Sequence, residues 1–180
     1  MSKFETLYPN FAEYHQNFTN IVIHTFAIPL VVFAEYGLLF SLSRTEVLKS
    51  LPFSLCWVFY VISGLLFLKT HIKIGLITFL WSLPTLLLAR LADLYYSPPG
   101  SSYSASWMFL IILMCGFAAQ TIGHKFFELR IENDSRVFFN FFYFPFLLTA
   151  ILIHRAGLYP QEFQACDTII KKKLSLLENQ

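Results

Sequence analysis

The residues of this 180-residue chain that can do chemistry fall into two short stretches. The first carries Tyr14, His15, Gln16, Asn17, Asn20, His24 and Pro29; the second carries Gln120, Thr121, Gly123, His124, Lys125, Phe127, Glu128 and Arg130. Two or more imidazoles with a carboxylate and open coordination positions suit non-haem Fe(II). Zn(II) and Mn(II) compete, because imidazole alone does not choose among these metals. Helical spacing decides which side chains share a face: His124 with Glu128 and Asn20 with His24, each pair four residues apart. His15 and His24 are nine apart, about 900° and therefore half a turn out of phase. Both can reach one metal only if the chain bends around Asn17 to Thr19. Gly123, just before His124, permits the close approach of another helix. The expected site is several imidazoles and one carboxylate at the cytoplasmic end of a bundle. His71, between Lys69 and Lys73, reads as a solvated loop residue, and His154, beside Arg155, is undecided between ligand and bystander. Glu35 reads as a carboxylate at the opposite interface, since twenty residues of helix place it about 30 Å from His15.

The elements that would hold such a site are set by composition. Hydrophobic residues make up 56% and charged residues 13%, with 21 Phe, 9 Tyr and 3 Trp, against roughly 25% charged in ordinary soluble domains. A water-soluble globule and a disordered chain are both excluded by these numbers. The formal charge of +2 gives no basis for nucleic-acid binding. Cys56, Cys115 and Cys166 are scattered and odd in number, which fits neither a disulfide framework nor a CxxC metal motif. The polar start of the chain, with Glu5 and Glu13, lacks the apolar core of a cleavable signal peptide.

Four stretches free of Asp, Glu, Lys and Arg are candidates to span a membrane: Leu51 to Leu68, Ile74 to Ala89, Tyr103 to Gly123, and Val137 to Ile153. A fifth runs from Gln16 to Ala34 and on through Glu35 to Ser43. Pro29, Pro84 and Pro145 predict kinks within three of them, and Ser97-Pro98-Pro99-Gly100 predicts an exposed loop. If all five segments cross, Lys and Arg divide almost evenly between the two faces. If Val137 to Ile153 does not cross, they collect on the face of the N-terminus, as cytoplasmic loops require. The expected architecture is therefore all-α: a polytopic membrane helix bundle of four full crossings plus an irregular or re-entrant fifth segment. It forms one integral membrane domain over residues 1–180, with a cytoplasmic segment at 1–15, the bundle at 16–154 and an amphipathic tail at 155–180. By parity of crossings His15, His24, His71, His124 and Glu128 lie on one face.

Taken together and in order, Tyr14-His15, Asn20 to His24 and Pro29, then Gln120-Thr121-Ile122-Gly123-His124, Phe127-Glu128 and Arg130, resemble the fungal 2-hydroxy fatty acid dioxygenase family and its bacterial relatives. Beyond Arg130 the chain departs from that pattern, with Ile131-Glu132-Asn133-Asp134 where the family has Arg-Pro-Ala. The resemblance implies an Fe(II)-dependent α-oxidation that shortens a 2-hydroxy fatty acid by one carbon with O2 as co-substrate, as in phytosphingosine breakdown. It implies a home in the endoplasmic reticulum, or the inner membrane of a bacterium, with the site on the cytoplasmic face. It also implies His15, His24 and His124 as metal-site residues, Glu128 as a further ligand or partner, and Lys125, Arg130 and Asn20 near the substrate. Two other readings remain open: a non-catalytic lipid-binding protein of the same fold, and a zinc-dependent membrane hydrolase.

Overall fold

The computed structural model describes residues 2–44, 48, 54–97, 105–128 and 142–178. Among them there are seven α-helices and no strands: α1 Lys3–Ala12, α2 Phe18–Ser43, α3 Leu55–Thr70, α4 Ile72–Tyr96, α5 Ser106–Gly123, α6 Phe144–Arg155 and α7 Pro160–Glu178. A π-helical turn, His124–Glu128, continues α5. Three helices are long and apolar enough to cross a membrane: α2, α4, and α5 with its π-turn. The 26 residues of α2 rise about 39 Å against a hydrocarbon core of about 30 Å.

The bundle is built around α2, which packs on α5, α4 and α3. Along α5 the buried residues Phe109, Gly116, Gln120 and Gly123 form a narrow stripe facing α2, while Trp107, Ile111, Met114 and Phe126 are exposed. Apolar side chains turned outward along such a helix are what a lipid environment requires. α3 and α4 form a tight hairpin whose corner is His71. Its backbone closes α3, and its Nδ1 accepts from the Ile74 N–H at the start of α4. The expectation of a solvated loop residue is corrected here: the ring is half-buried, 4.9 Å from Phe4 of α1.

At the opposite end, the fully buried Asp93 of α4 is surrounded by cations. Its carboxylate pairs with Arg44 and with Arg90 Nη1 at 3.3 Å, and Ser41 Oγ donates to it at 3.0 Å. A buried charge needs partners of this kind.

α1 was not anticipated as a helix. Ser2 and Glu5 cap it reciprocally, and Phe4, Tyr8, Phe11 and Ala12 bury one face against the bundle. α6 lies alongside it. Lys3 Nζ donates to Tyr143 OH at 2.5 Å just before α6, and Arg155 at the end of α6 donates to the carbonyls of His15 and Gln16 just beyond α1. Pro145 occupies the first turn of α6, where its missing N–H breaks no helical bond, so the kink expected there does not occur. α2 and α4 continue through Pro29 and Pro84. α7 packs on α1, burying Phe163, Cys166 and Ile170, so the amphipathic tail presents its apolar side to protein. Lys173 fixes it there, pairing with Glu13 at 2.9 Å and Asn10 at 2.6 Å.

The hairpin depends on Gly75, where a Cβ would stand 2.5 Å from the Phe67 carbonyl carbon and 2.6 Å from its oxygen. Backbone cannot rotate aside as a side chain can. Gly75→Ala is expected to lower stability in detergent by about 1–3 kcal/mol or more, the usual cost of overpacking. Thermal unfolding would show it as a reduced midpoint, and an unchanged midpoint would contradict the packing.

Candidate metal centre

His15 and His24 converge because the helix is broken between them. α1 ends at Ala12, and Asn17 starts α2 by accepting the Thr19 N–H on its side-chain oxygen at 2.8 Å. The bend that a shared metal demands is therefore present, immediately before Phe18. His124 comes from the end of α5, brought close by Gly123, where a Cβ would lie 2.3 Å from Asn20 Oδ1 and 3.5 Å from His24 Cε1. The helix changes from α to π at His124, a kind of local widening that recurs at functional sites. Nothing in the apolar pattern of α5 signals that change.

The three rings form a nearly equilateral triangle. Centroids are 4.6 Å apart for His15 and His24, 4.7 Å for His15 and His124, and 4.8 Å for His24 and His124. Interplanar angles run from 78° to 90°, so each ring turns an edge toward its neighbours. One nitrogen from each lies within 4.8 Å of the others.

Tautomers follow from the carbonyls. His15 Nδ1 is 2.7 Å from the Phe11 carbonyl oxygen and His24 Nδ1 is 2.9 Å from that of Asn20. A carbonyl can only accept, so both Nδ1 atoms carry the proton and both Nε2 atoms keep a free lone pair. Metal-binding histidines are oriented in this way. His15 Nε2 and His124 Nδ1 are buried with no hydrogen-bond partner among the described residues. Burial above all, then the neighbouring His24 and His124, hold the His15 imidazole well below its ordinary pKa, so it is neutral near pH 7. A neutral imidazole with an unused, buried lone pair is a donor lacking its acceptor. Three imidazoles this close are compatible with a transition-metal site.

Glu128 stands beside the cluster as a hydrogen-bond partner. It lies outside the group of mutually close ligand atoms; its Oε1 accepts from the Asn17 N–H at 2.7 Å and from Asn20 Nδ2 at 3.2 Å. Glu128 thus ties the π-turn to the start of α2. Asn20 is fully buried, donates also to the Tyr14 carbonyl at 3.3 Å, and leaves Oδ1 without a partner. Lys125 is exposed, and Arg130 lies outside the described residues. His71 and His154 are not in the cluster. His154 meets Tyr8 OH at 2.6 Å and Asp167 at 3.1 Å instead. Arg155, whose Nη2 reaches the carbonyls of His15 at 3.4 Å and Gln16 at 3.1 Å, is a contributor that sequence reading passed over. Its adjacency to His154 was the only signal.

Three convergent imidazoles at one end of an apolar helical bundle define a class, a membrane protein with a metal-site geometry. The particular family follows from comparison: the model of the family described as 2-hydroxy-palmitic acid dioxygenase Mpo1-like matches residues 1–155, and the chain belongs to that family. No curated protein and no solved structure matches the chain. The matched span contains all three histidines and ends at Arg155, before α7.

Removing a metal ligand should weaken binding by at least the roughly 10–100-fold that loss of a ligand's hydrogen-bond partner costs. Elemental analysis of purified protein is therefore expected to show metal depleted in His15→Ala, His24→Ala and His124→Ala and retained in His71→Ala. Retention in all four would refute the centre. For metal-free protein the sign of the pH effect is also fixed. The His15 pKa is depressed in the folded state, so between pH 7 and 5 the unfolded chain takes up its proton first and stability falls with acidification. Thermal midpoints across that range would record the decline, and His15→Gln would make it shallower.

Proposed function

We propose that this protein is a membrane-embedded, iron-dependent dioxygenase that shortens 2-hydroxy fatty acids by one carbon. Membership of the family described as 2-hydroxy-palmitic acid dioxygenase Mpo1-like carries the reading, and three convergent imidazoles, those of His15 and His24 buried and that of His124 half-buried, support it. His15, His24 and His124 would hold the metal, with Fe(II) favoured over Zn(II). Bound iron would supply the means to activate O2. The chain's own contributions are positional. The Phe11 and Asn20 carbonyls keep two imidazoles in the ligating tautomer, and Glu128 and Asn20 clamp the π-turn to α2.

The stoichiometry closes without a further reductant: R-CH(OH)-COO⁻ plus O2 gives R-COO⁻, CO2 and H2O. The bond between C1 and C2 breaks, C2 becomes the new carboxylate carbon, and all four electrons accepted by O2 come from the acid. Neither 2-oxoglutarate nor a nicotinamide cofactor is needed.

In this reading α2, α3, α4 and α5 are four crossings of a single integral membrane domain. α3 has 16 residues, about 24 Å. It nevertheless runs from Ser54, beside Ser43 at one end of the bundle, to His71, beside α1 at the other. α6, tied to α1 at both ends, does not cross. The excess of Lys and Arg puts the N-terminus and the metal on the cytoplasmic face, of the endoplasmic reticulum in a eukaryote or the inner membrane of a bacterium.

Three imidazoles are also the ligands of some hydrolytic zinc sites, which makes a zinc-dependent membrane hydrolase the second reading. Anaerobically purified protein given Fe(II) and 2-hydroxypalmitate labelled at C1 tests both. Expected are one O2 consumed and one labelled CO2 released per pentadecanoate formed, with turnover lost in His124→Ala. Zinc at the site with no O2 uptake would overturn the dioxygenase in favour of the hydrolase, and absence of any metal would leave a lipid-binding protein.

A further inference from the structure

Beside the imidazole cluster is a cleft of about 450 Å³ between α1, α6 and α7, within the roughly 300–1,000 Å³ of small-molecule sites. His15 belongs to both, forming one corner of the triangle and part of the cleft wall. Ile151 of α6 and Ile170 and Leu174 of α7 supply apolar lining, and Arg155 and Lys171 bring two cations. Arg155 is held next to His15 by its Nη2 contacts to the carbonyls of residues 15 and 16. Its remaining guanidinium donors have no partner among the described residues.

The acidic residue lining the cleft is already engaged. Asp167 Oδ1 lies 3.1 Å from His154 Nε2, and His154 Nδ1 is 2.6 Å from Tyr8 OH. Phe163 stacks on the His154 ring at 4.4 Å and fixes this chain in place. Two cations against one partnered carboxylate leave the cleft suited to an anion with an apolar tail. α7, which carries Asp167, Ile170, Lys171 and Leu174, lies beyond the residues matched by the family model.

We propose that this cleft takes the carboxylate end of the 2-hydroxy acid, with Arg155 binding the carboxylate and α7 walling the first part of the acyl chain, so that the α-carbon faces His15. The assignment rests on the dioxygenase reading for the identity of the acid. It locates substrate recognition in Arg155, in place of Lys125 or Arg130, and makes α7 a determinant of which acids enter. A guanidinium matches a carboxylate with two parallel N–H donors, which an ammonium cannot do.

The test is equilibrium binding to the full-length, metal-free protein in detergent, by displacement of a fluorescent fatty acid. Two competitors are compared: 2-hydroxypalmitate, and hexadecane-1,2-diol, which keeps chain and hydroxyl but lacks the carboxylate. Arg155→Gln should weaken the acid about tenfold or more, as loss of a charged hydrogen bond does, and leave the diol unchanged. Leu174→Trp should fill the cleft and weaken both. The tryptophan variant leaves Arg155 intact, so it decides the matter if Arg155→Gln loosens the turn at His15 and fails to fold. Wild-type acid binding in folded Arg155→Gln, unaltered binding in Leu174→Trp, or equal displacement by phosphatidylserine would each overturn the proposal. Because no metal is present, these outcomes are separate from the fate of the dioxygenase reading, which depends on iron and O2 uptake.

Discussion

Everything at the proposed centre depends on the interruption of one helix. Nine residues separate His15 from His24, and an unbroken helix would send their rings to opposite sides. The chain leaves α1 after Ala12, turns, and restarts at Phe18 under the cap of Asn17. Each side of that turn is held from elsewhere in the fold. Glu128, at the end of the π-turn, accepts the Asn17 N–H, while Arg155, at the end of α6, holds the carbonyls of His15 and Gln16. Three segments distant in sequence therefore meet at one bend, and the imidazole geometry is a property of the whole bundle.

A second constraint is the cost of leaving polar groups unsatisfied where water is absent. The bundle collects them at its two ends. One end buries Asp93 under Arg44 and Arg90, where charges of opposite sign satisfy each other. The other buries His15, His24, Asn20 and Gln120, and several atoms there find no partner among the described residues. The two ends are thus unlike in kind: the Asp93 cluster is closed on itself, whereas the histidine cluster leaves donor atoms free in an arrangement compatible with a metal ion.

What sequence could reveal divides along the same line. Long apolar runs and their polar punctuation disclosed the helices of the bundle, because hydropathy is additive along a segment. Parity of crossings was enough to bring His24 and His124 to one face, and Gly123 announced the close approach of α5 to α2. The required bend near Asn17 was legible as a condition, since the phase of a helix is arithmetic. α1 was hidden because its signal is a capping box and a few buried aromatics in a polar stretch. Glu128, read as a further ligand or a partner, accepts from Asn17 and Asn20, and its four-residue spacing from His124 falls on a π-helical turn, where the same-face rule of an α-helix does not carry over unchanged. The docking of α7 on α1, and the chain from Tyr8 through His154 to Asp167, are contacts between segments about 150 residues apart. No local pattern encodes them.

The central claim is that His15, His24 and His124 bind a single metal ion together. X-ray absorption at the iron edge of anaerobically reconstituted protein counts the ligands directly. Expected are three imidazole nitrogens at about 2.1 Å, with the remaining positions filled by light oxygen donors and no sulfur. Spectra of His15→Ala and His24→Ala should each show that imidazole shell reduced or the iron absent. A shell with fewer than three imidazoles in the wild type, or one unchanged by either substitution, would contradict it.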